Sequence, residues 1–231
     1  MIRLLLADVL PLEDTAAYAS LYEMVSSERK RSADSFRFMK DRRLSVGASA
    51  LLDAGLKEFG LRERDMIYGR SEYGKPFFRN APDIHFSISH SATKVAVAVS
   101  DREVGCDIEQ VITARLSDRS AVQEAAKCLE MAGRFFTSEE HMAMKAMESP
   151  SERIRMFYRC WTLKESYMKA TGLGMTLAPD SFSVLSALDG SACIPGSDFV
   201  FFTPGSFDGY ECALCCRPEA GVPEVIVQAL C

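Results

Sequence analysis

The sequence predicts an α+β chain of two similar lobes, each a helix packed on an antiparallel meander, related by a pseudo-twofold. Three observations carry this expectation. Leu44, Ala48, Leu51, Leu52, Leu56 and Phe59 recur at helical spacing and make one apolar stripe. Three β-like runs, 84–89, 94–100 and 103–110, follow in quick succession with short polar links between them. The order of helix and then strands returns in the second half. The lobes are expected to join near 100–104, giving an N-terminal lobe of residues 1–103 and a C-terminal lobe of 104–231.

Taken in order, residues 2–9 read as a strand, and 14–25 and 39–59 as helices. Between the helices, and into the second, runs SSERKRSADSFRFMKDRR, the most basic segment of the chain. The Gly74-Lys75-Pro76 turn precedes the three β runs. Capping boxes then open two helices, Thr137 with Glu140 and Ser149 with Glu152, the second with Pro150 at its first position. That second helix runs to about Thr171 and ends at Gly172. Strand-like runs follow at 181–186, 198–203, 209–216 and 223–228.

The composition narrows the function. The chain has 231 residues, 48% of them hydrophobic, and a net charge of −5, which argues against general affinity for nucleic acid. No window approaches the roughly 20 apolar residues of a membrane span. Asp8 interrupts the apolar run of MIRLLLADVL, so it does not read as a signal peptide. The eight cysteines form no regular framework and read as reduced thiols of a cytoplasmic protein. Cys212, Cys215 and Cys216 lack a second Cys/His pair at matching spacing and read as strand core.

Three constellations could carry chemistry. In VGCDIEQV, Asp107 and Glu109 lie two apart on one strand face. Such a pair is either a solvated face or a seat for a hard divalent cation such as Mg²⁺. In CWTLKESYMKATGLG, Trp161, Glu165 and Lys169 recur at i, i+4 and i+8, with Lys164 on the neighbouring side. A third carboxylate facing Asp107 and Glu109 would complete a metal site; otherwise Glu165 and Lys169 are an ordinary surface pair. In IHFSISHSATK, Ser89 and His90 end a strand and offer donors to phosphate oxygens. A Ser/His hydrolase is disfavoured because no Gly-x-Ser-x-Gly turn is present. Arg29, Lys30, Arg31, Lys40, Arg42 and Arg43 are either solvated helix faces or a phosphate pocket. There is no P-loop, and Gly172-Leu173-Gly174 is a helix ending.

These segments, GKP (74–76), FSISHS (86–91), GCDIE (105–109), RFFTSEE (134–140) and WTLKESYMK (161–169), closely resemble in order and spacing the Sfp-type 4′-phosphopantetheinyl transferases. The likeness runs from the basic segment to SFSV at 181–184. Ser87 replaces a frequent asparagine and Cys106 an aliphatic residue. The resemblance implies a two-lobed fold, with coenzyme A bound by the first lobe and the metal site and catalytic helix in the second. It implies transfer of the phosphopantetheine arm of coenzyme A to a serine of an apo acyl or peptidyl carrier protein, releasing adenosine 3′,5′-bisphosphate.

By motif position, Asp107, Glu109 and Glu165 would be the ligands of Mg²⁺, with Mn²⁺ as a substitute. Lys75, Pro76, Ser89 and His90 would contact coenzyme A, the last two at its phosphates, and Tyr73 and Gly74 would lie by its adenine. Arg29 and Arg43 best match its 3′-phosphate ligands, with Lys30 and Arg31 as close substitutes. Lys169, which would also touch coenzyme A, would assist the departing phosphate. Glu165, directly or through a water, would take the serine proton, and Lys164 is the alternative electrostatic contributor. The protein is expected to be a cytoplasmic monomer without membrane or nucleic-acid partners, and the 112–136 segment to receive the carrier. A coenzyme A-binding protein without catalysis and another Mg²⁺-dependent phosphotransferase are the competing readings.

Overall fold

The computed structural model describes residues 1–112, 118–188, 194, 196–204, 207 and 209–230. Strand β1 (Ile2–Asp8) opens the chain and is followed by helices α1 (Thr15–Met24), α2 (Ser27–Ser35) and α3 (Met39–Lys57). Asp14 and Ser26 cap the first two helices, accepting from the amides of Ala17 and Arg29. The stripe expected on α3 is real: Leu44, Ala48, Leu51, Leu52 and Leu56 are buried against Leu5, Val97 and Val99 of the first sheet. A short hairpin, β2 (Tyr68–Arg70) and β3 (Pro76–Phe78), turns through Gly74, whose φ of 86° favours glycine. Phe78 of this hairpin stacks on Phe86, with ring centres 4.4 Å apart.

β4 (His85–Ser91) and β5 (Lys94–Ser100) form the expected antiparallel hairpin. The third run, β6 (Val104–Gln110), departs from the expected meander. β5 already pairs along its whole length with β4 on one edge and β1 on the other, so no edge remains for β6. β6 pairs instead with β8 (Tyr210–Cys216), which also pairs with β7 (Val200–Phe202). The last strand, β9 (Glu224–Val227), runs parallel to β1 and completes a four-stranded sheet of order β4-β5-β1-β9.

The second half carries α4 (Asp118–Phe135), α5 (Ser138–Ala146) and α6 (Pro150–Thr171). Thr137 and Ser149 are both N-caps, the reciprocal box being formed at Thr137–Glu140, and Gly172 ends α6 in the left-handed region with φ 75°. The strand expected at 181–186 is absent. Pro179–Ser181 is a helical turn and α7 covers Leu185–Leu188. The backbone there bonds to side chains rather than to a ladder: Val184 N donates to Glu140, and the carbonyls of Pro179 and Phe182 accept from Lys164.

The α+β class holds, with α3 packed on the first sheet and α6 on the second. The two sheets also pack face to face, burying Leu4, Leu6, Ala96 and Ala98 against Cys106, Ile108, Cys212 and Leu214. Six cysteines are free and buried, as expected of core thiols; Cys193 and Cys231 lie outside the described residues. Where the edges of the sheets meet, serine side chains replace the backbone ladder. Ser87 Oγ accepts from Cys106 N, Ser89 Oγ donates to Asp107, and Ser91 Oγ donates to Glu109 while accepting from Gln110 N.

β6 crosses α6 at Gly105, where a Cβ would lie 2.0 Å from the Ser166 carbonyl oxygen and 2.4 Å from the Ala170 nitrogen. Both are backbone atoms of a packed helix and cannot give way cheaply. Gly105→Ala is therefore expected to cost about 3 kcal/mol of stability, measured by urea unfolding; a wild-type midpoint would refute this close approach.

Candidate active site

The crossing at Gly105 sets the geometry two residues further along β6. Asp107 is 3% exposed. Its Oδ1 accepts from Lys169 Nζ at 2.6 Å and from Ser89 Oγ at 2.6 Å, and Lys169 Nζ also donates to Ser89 Oγ at 3.1 Å. Three elements, β4, β6 and α6, thus converge on one carboxylate oxygen. The other, Asp107 Oδ2, is buried without a hydrogen-bond partner. Glu109 accepts from Ser91 Oγ at 2.7 Å, and Glu165 lies one helical turn before Lys169.

Burial pushes both Glu109 and Glu165 above the usual carboxylate range, and the Asp107 charge adds to it. Burial pulls the Lys169 ammonium down, but the Asp107 carboxylate more than offsets it, leaving the group above its ordinary value. Three carboxylates thus face one ammonium. Among the described residues, no three His, Cys, Asp or Glu side chains stand together in a group that could hold a metal ion, and Lys169 holds Asp107. The donor chemistry nevertheless suits a hard divalent cation: all three groups offer oxygen, and one buried oxygen lacks any donor.

Lys169 also lines a cleft of about 250 Å³ with Tyr73, Gly74, Lys75, Pro76, Phe86 and Met168. Pro76 and Ile88 are shared with a neighbouring cleft of about 650 Å³, whose wall carries Arg29, Arg70 and Arg79. Arg29 was expected at an anion site; Arg70 and Arg79 were not. Their signal in the sequence is a basic residue on either side of the GKP hairpin. Lys30 pairs with Glu23 at 2.9 Å and Arg43 with Glu13 at 3.2 Å. Neither of these, nor the exposed Arg31, lines the two clefts.

The remaining expected residues divide. His90 is exposed at the end of β4 beside Ser89. Lys75 reaches inward, donating to the carbonyls of Val104 at 3.1 Å and Ala170 at 2.9 Å, and burial lowers its pKa to about 8. Lys164 is not brought to the Asp107–Lys169 group. It is fully buried, donating to Glu140 at 2.9 Å and to the carbonyls of Pro179 and Phe182 at 2.7 and 2.6 Å. These partners take up its three donors, and the Phe136 and Phe182 rings flank it. Of the 112–136 segment, residues 113–117 lie outside the described residues and the remainder is chiefly α4.

A family model described as the 4′-phosphopantetheinyl transferase superfamily matches residues 103–215. A 4′-phosphopantetheinyl transferase of Bacillus subtilis is 33% identical over 74% of this chain and 70% of its own. The 4′-phosphopantetheinyl transferase psf-1 of Bacillus pumilus is 30% identical over 93% of this chain and 90% of its own. The corresponding gsp protein of Aneurinibacillus migulanus is 27% identical over 100% of this chain and 94% of its own.

Lys164→Met would leave the Glu140 carboxylate buried without its cation, with an expected loss of about 3–5 kcal/mol in urea unfolding. A variant of unchanged stability would contradict the buried pairing. Lys75 has a depressed folded pKa, so between about pH 8 and 10.5 the unfolded chain holds a proton that the folded chain lacks. Its contribution to stability should therefore rise with pH across that window. The wild-type stability curve minus that of Lys75→Met measures it, and a flat or falling difference refutes the burial of a lysine amine there.

Proposed function

This chain belongs to the 4′-phosphopantetheinyl transferase superfamily, and on that premise we propose that it moves the 4′-phosphopantetheine arm of coenzyme A to a carrier-protein serine. The acceptor in this reading is an apo acyl or peptidyl carrier protein, the reaction needs Mg²⁺, and adenosine 3′,5′-bisphosphate is released. The observation that carries it is the position of Lys169, which lines the cleft and holds the carboxylate of Asp107. One ammonium therefore links a place for a nucleotide to a place for a cation.

The residues take roles their surroundings support. Asp107, Glu109 and Glu165 would hold Mg²⁺, or Mn²⁺ in its place, and the bound ion would neutralise charge on the pyrophosphate. Lys169 keeps its proton and stabilises the departing phosphate. Glu165, made more basic by burial, accepts the proton of the carrier serine directly or through a water. Ser89 fixes Asp107 and Lys169 against each other, and His90 reaches the phosphates from the end of β4. Tyr73, Gly74 and Pro76 flank the adenine in the smaller cleft, and Lys75 braces that wall from behind.

Arg29 serves the 3′-phosphate; Lys30 and Arg43, held by acidic neighbours, are secondary. Residues 1–103 supply most of the nucleotide contacts and 104–231 the acidic centre. Ile112, Val122 and Met131 are exposed along the 112–136 segment, which supports it as the carrier's landing surface. No described helix is long and apolar enough to cross a membrane. A cytoplasmic monomer completes the proposal.

Incubation with coenzyme A, Mg²⁺ and a panel of apo carriers should add one phosphopantetheine mass to a carrier; no gain across the panel would sink the proposal. Asp107→Ala should lower the rate by about a thousand-fold while the protein stays folded. Retained activity in that variant would remove Asp107 from the centre.

A further inference from the structure

Arg29 is held from behind by an acidic residue that the proposed reaction does not use. Glu63 is 2% exposed. Its Oε2 accepts from Ser26 N at 3.0 Å, and its Oε1 accepts from Ser26 Oγ at 2.8 Å and from the Tyr68 hydroxyl at 2.6 Å. Arg29 Nε stands 3.8 Å from the same Oε1 and donates to the Tyr68 hydroxyl oxygen at 3.3 Å. The guanidinium carbon lies 4.9 Å over the Tyr68 ring, and Ser26 Oγ caps α2 by accepting from the Arg29 amide at 3.2 Å. One buried carboxylate therefore ties together the start of α2, strand β2 and the Arg29 side chain.

The network engages Arg29 through Nε alone and leaves its two terminal nitrogens for the 650 Å³ cleft. Two more arginines on that wall are each anchored by one nitrogen to a backbone carbonyl. Arg70 donates one nitrogen to the Gly74 carbonyl at 3.0 Å, and Arg79 donates Nε to the Tyr68 carbonyl at 3.4 Å. Three guanidinium groups, each steadied by one bond to hairpin β2–β3 or the residues around it, suit a phosphate monoester dianion. Burying a carboxylate behind such a group is costly unless its hydrogen bonds are satisfied, as those of Glu63 are.

We infer that Glu63 is a positioning residue which, through Tyr68 and Ser26, aims Arg29 at the 3′-phosphate of the nucleotide, with Arg70 and Arg79 as its other ligands. This rests on the transferase reading, because that substrate carries the 3′-phosphate. Adenosine 5′-monophosphate differs from adenosine 3′,5′-bisphosphate by this group alone, so the ratio of their dissociation constants isolates it.

Titration calorimetry on the full chain should show the wild type preferring the bisphosphate by about ten-fold or more. Glu63→Gln and Tyr68→Phe should each lower that preference at least about three-fold with the monophosphate affinity unchanged, as should Arg70→Ala and Arg79→Ala. An equal loss for both nucleotides, a wild-type ratio in the folded variants, or no preference in the wild type would overturn the inference. Should Glu63→Gln fail to fold in a thermal melt, Tyr68→Phe, which keeps the ring and removes only the hydroxyl, decides by the same ratio. The carrier assay separately reports whether the transferase reading stands, so the two can fail independently.

Discussion

The site depends on a contact between backbones that only a glycine permits. At Gly105 the strand β6 lies against the Ser166 carbonyl and the Ala170 amide of α6 with no room for a side chain. Two residues on, Asp107 meets Lys169, and the separation of strand and helix at the crossing fixes the length of that ion pair. The Lys75 ammonium bonds to the carbonyls of Val104 and Ala170, on the two sides of the same crossing. The hairpin that walls the cleft is thereby pinned to the place where the acidic centre is built. A widening there would disturb the cation–carboxylate contact and the cleft together.

Two lysines on α6 show how one helix divides its labour. Lys164 and Lys169 are five residues apart, so they emerge on different sides. Lys164 is enclosed with Glu140, whose other oxygen accepts from Val184 N and whose Oε2 also accepts from the Thr137 amide. That cluster fastens α5, α6 and the chain leading to α7. Its worth lies in the cost of breaking it: neither charge can be left alone in an apolar interior. Lys169 faces a cleft, and its carboxylate partner keeps a second oxygen free of donors. The same residue type braces the fold on one side and lines an open cleft on the other.

Much of this was legible in the sequence, for reasons that separate local from distant determinants. The α3 stripe, the Thr137 capping box, the Ser149 N-cap, the Gly172 stop and the β4–β5 hairpin depend on neighbours within a few residues, and all are present. Pairing was not legible where it depends on remote strands. Nothing in VGCDIEQ says that both edges of β5 are occupied by β4 and β1, which sends β6 to β8. SFSVLS is β-like in composition, yet its surroundings offer side-chain partners from Glu140 and Lys164 in place of a ladder. That Asp107 shares a face with Glu109, and Glu165 with Lys169, was readable by spacing. The burial of Lys164 was not, because periodicity shows which face a residue shares but not what will cover it. Arg70 and Arg79 flank the GKP turn, but nothing local marks Glu63, which Tyr68 of the hairpin and Ser26 of the α2 cap bring to Arg29.

The parallel pairing of β9 with β1 bears on how the chain is made. Strand β1 can pair with β5 once residue 100 is made, but its opposite edge waits for residues 224–227. Throughout translation of the second half, the nascent sheet therefore presents an apolar, unpaired border of the kind that recruits other chains. Arg3, ion-paired with both Glu58 and Glu224 once folding is complete, places a charge on that border from the start. A sheet whose first strand waits for residues 224–227 is complete only once both halves are made, so neither half can finish the fold by itself.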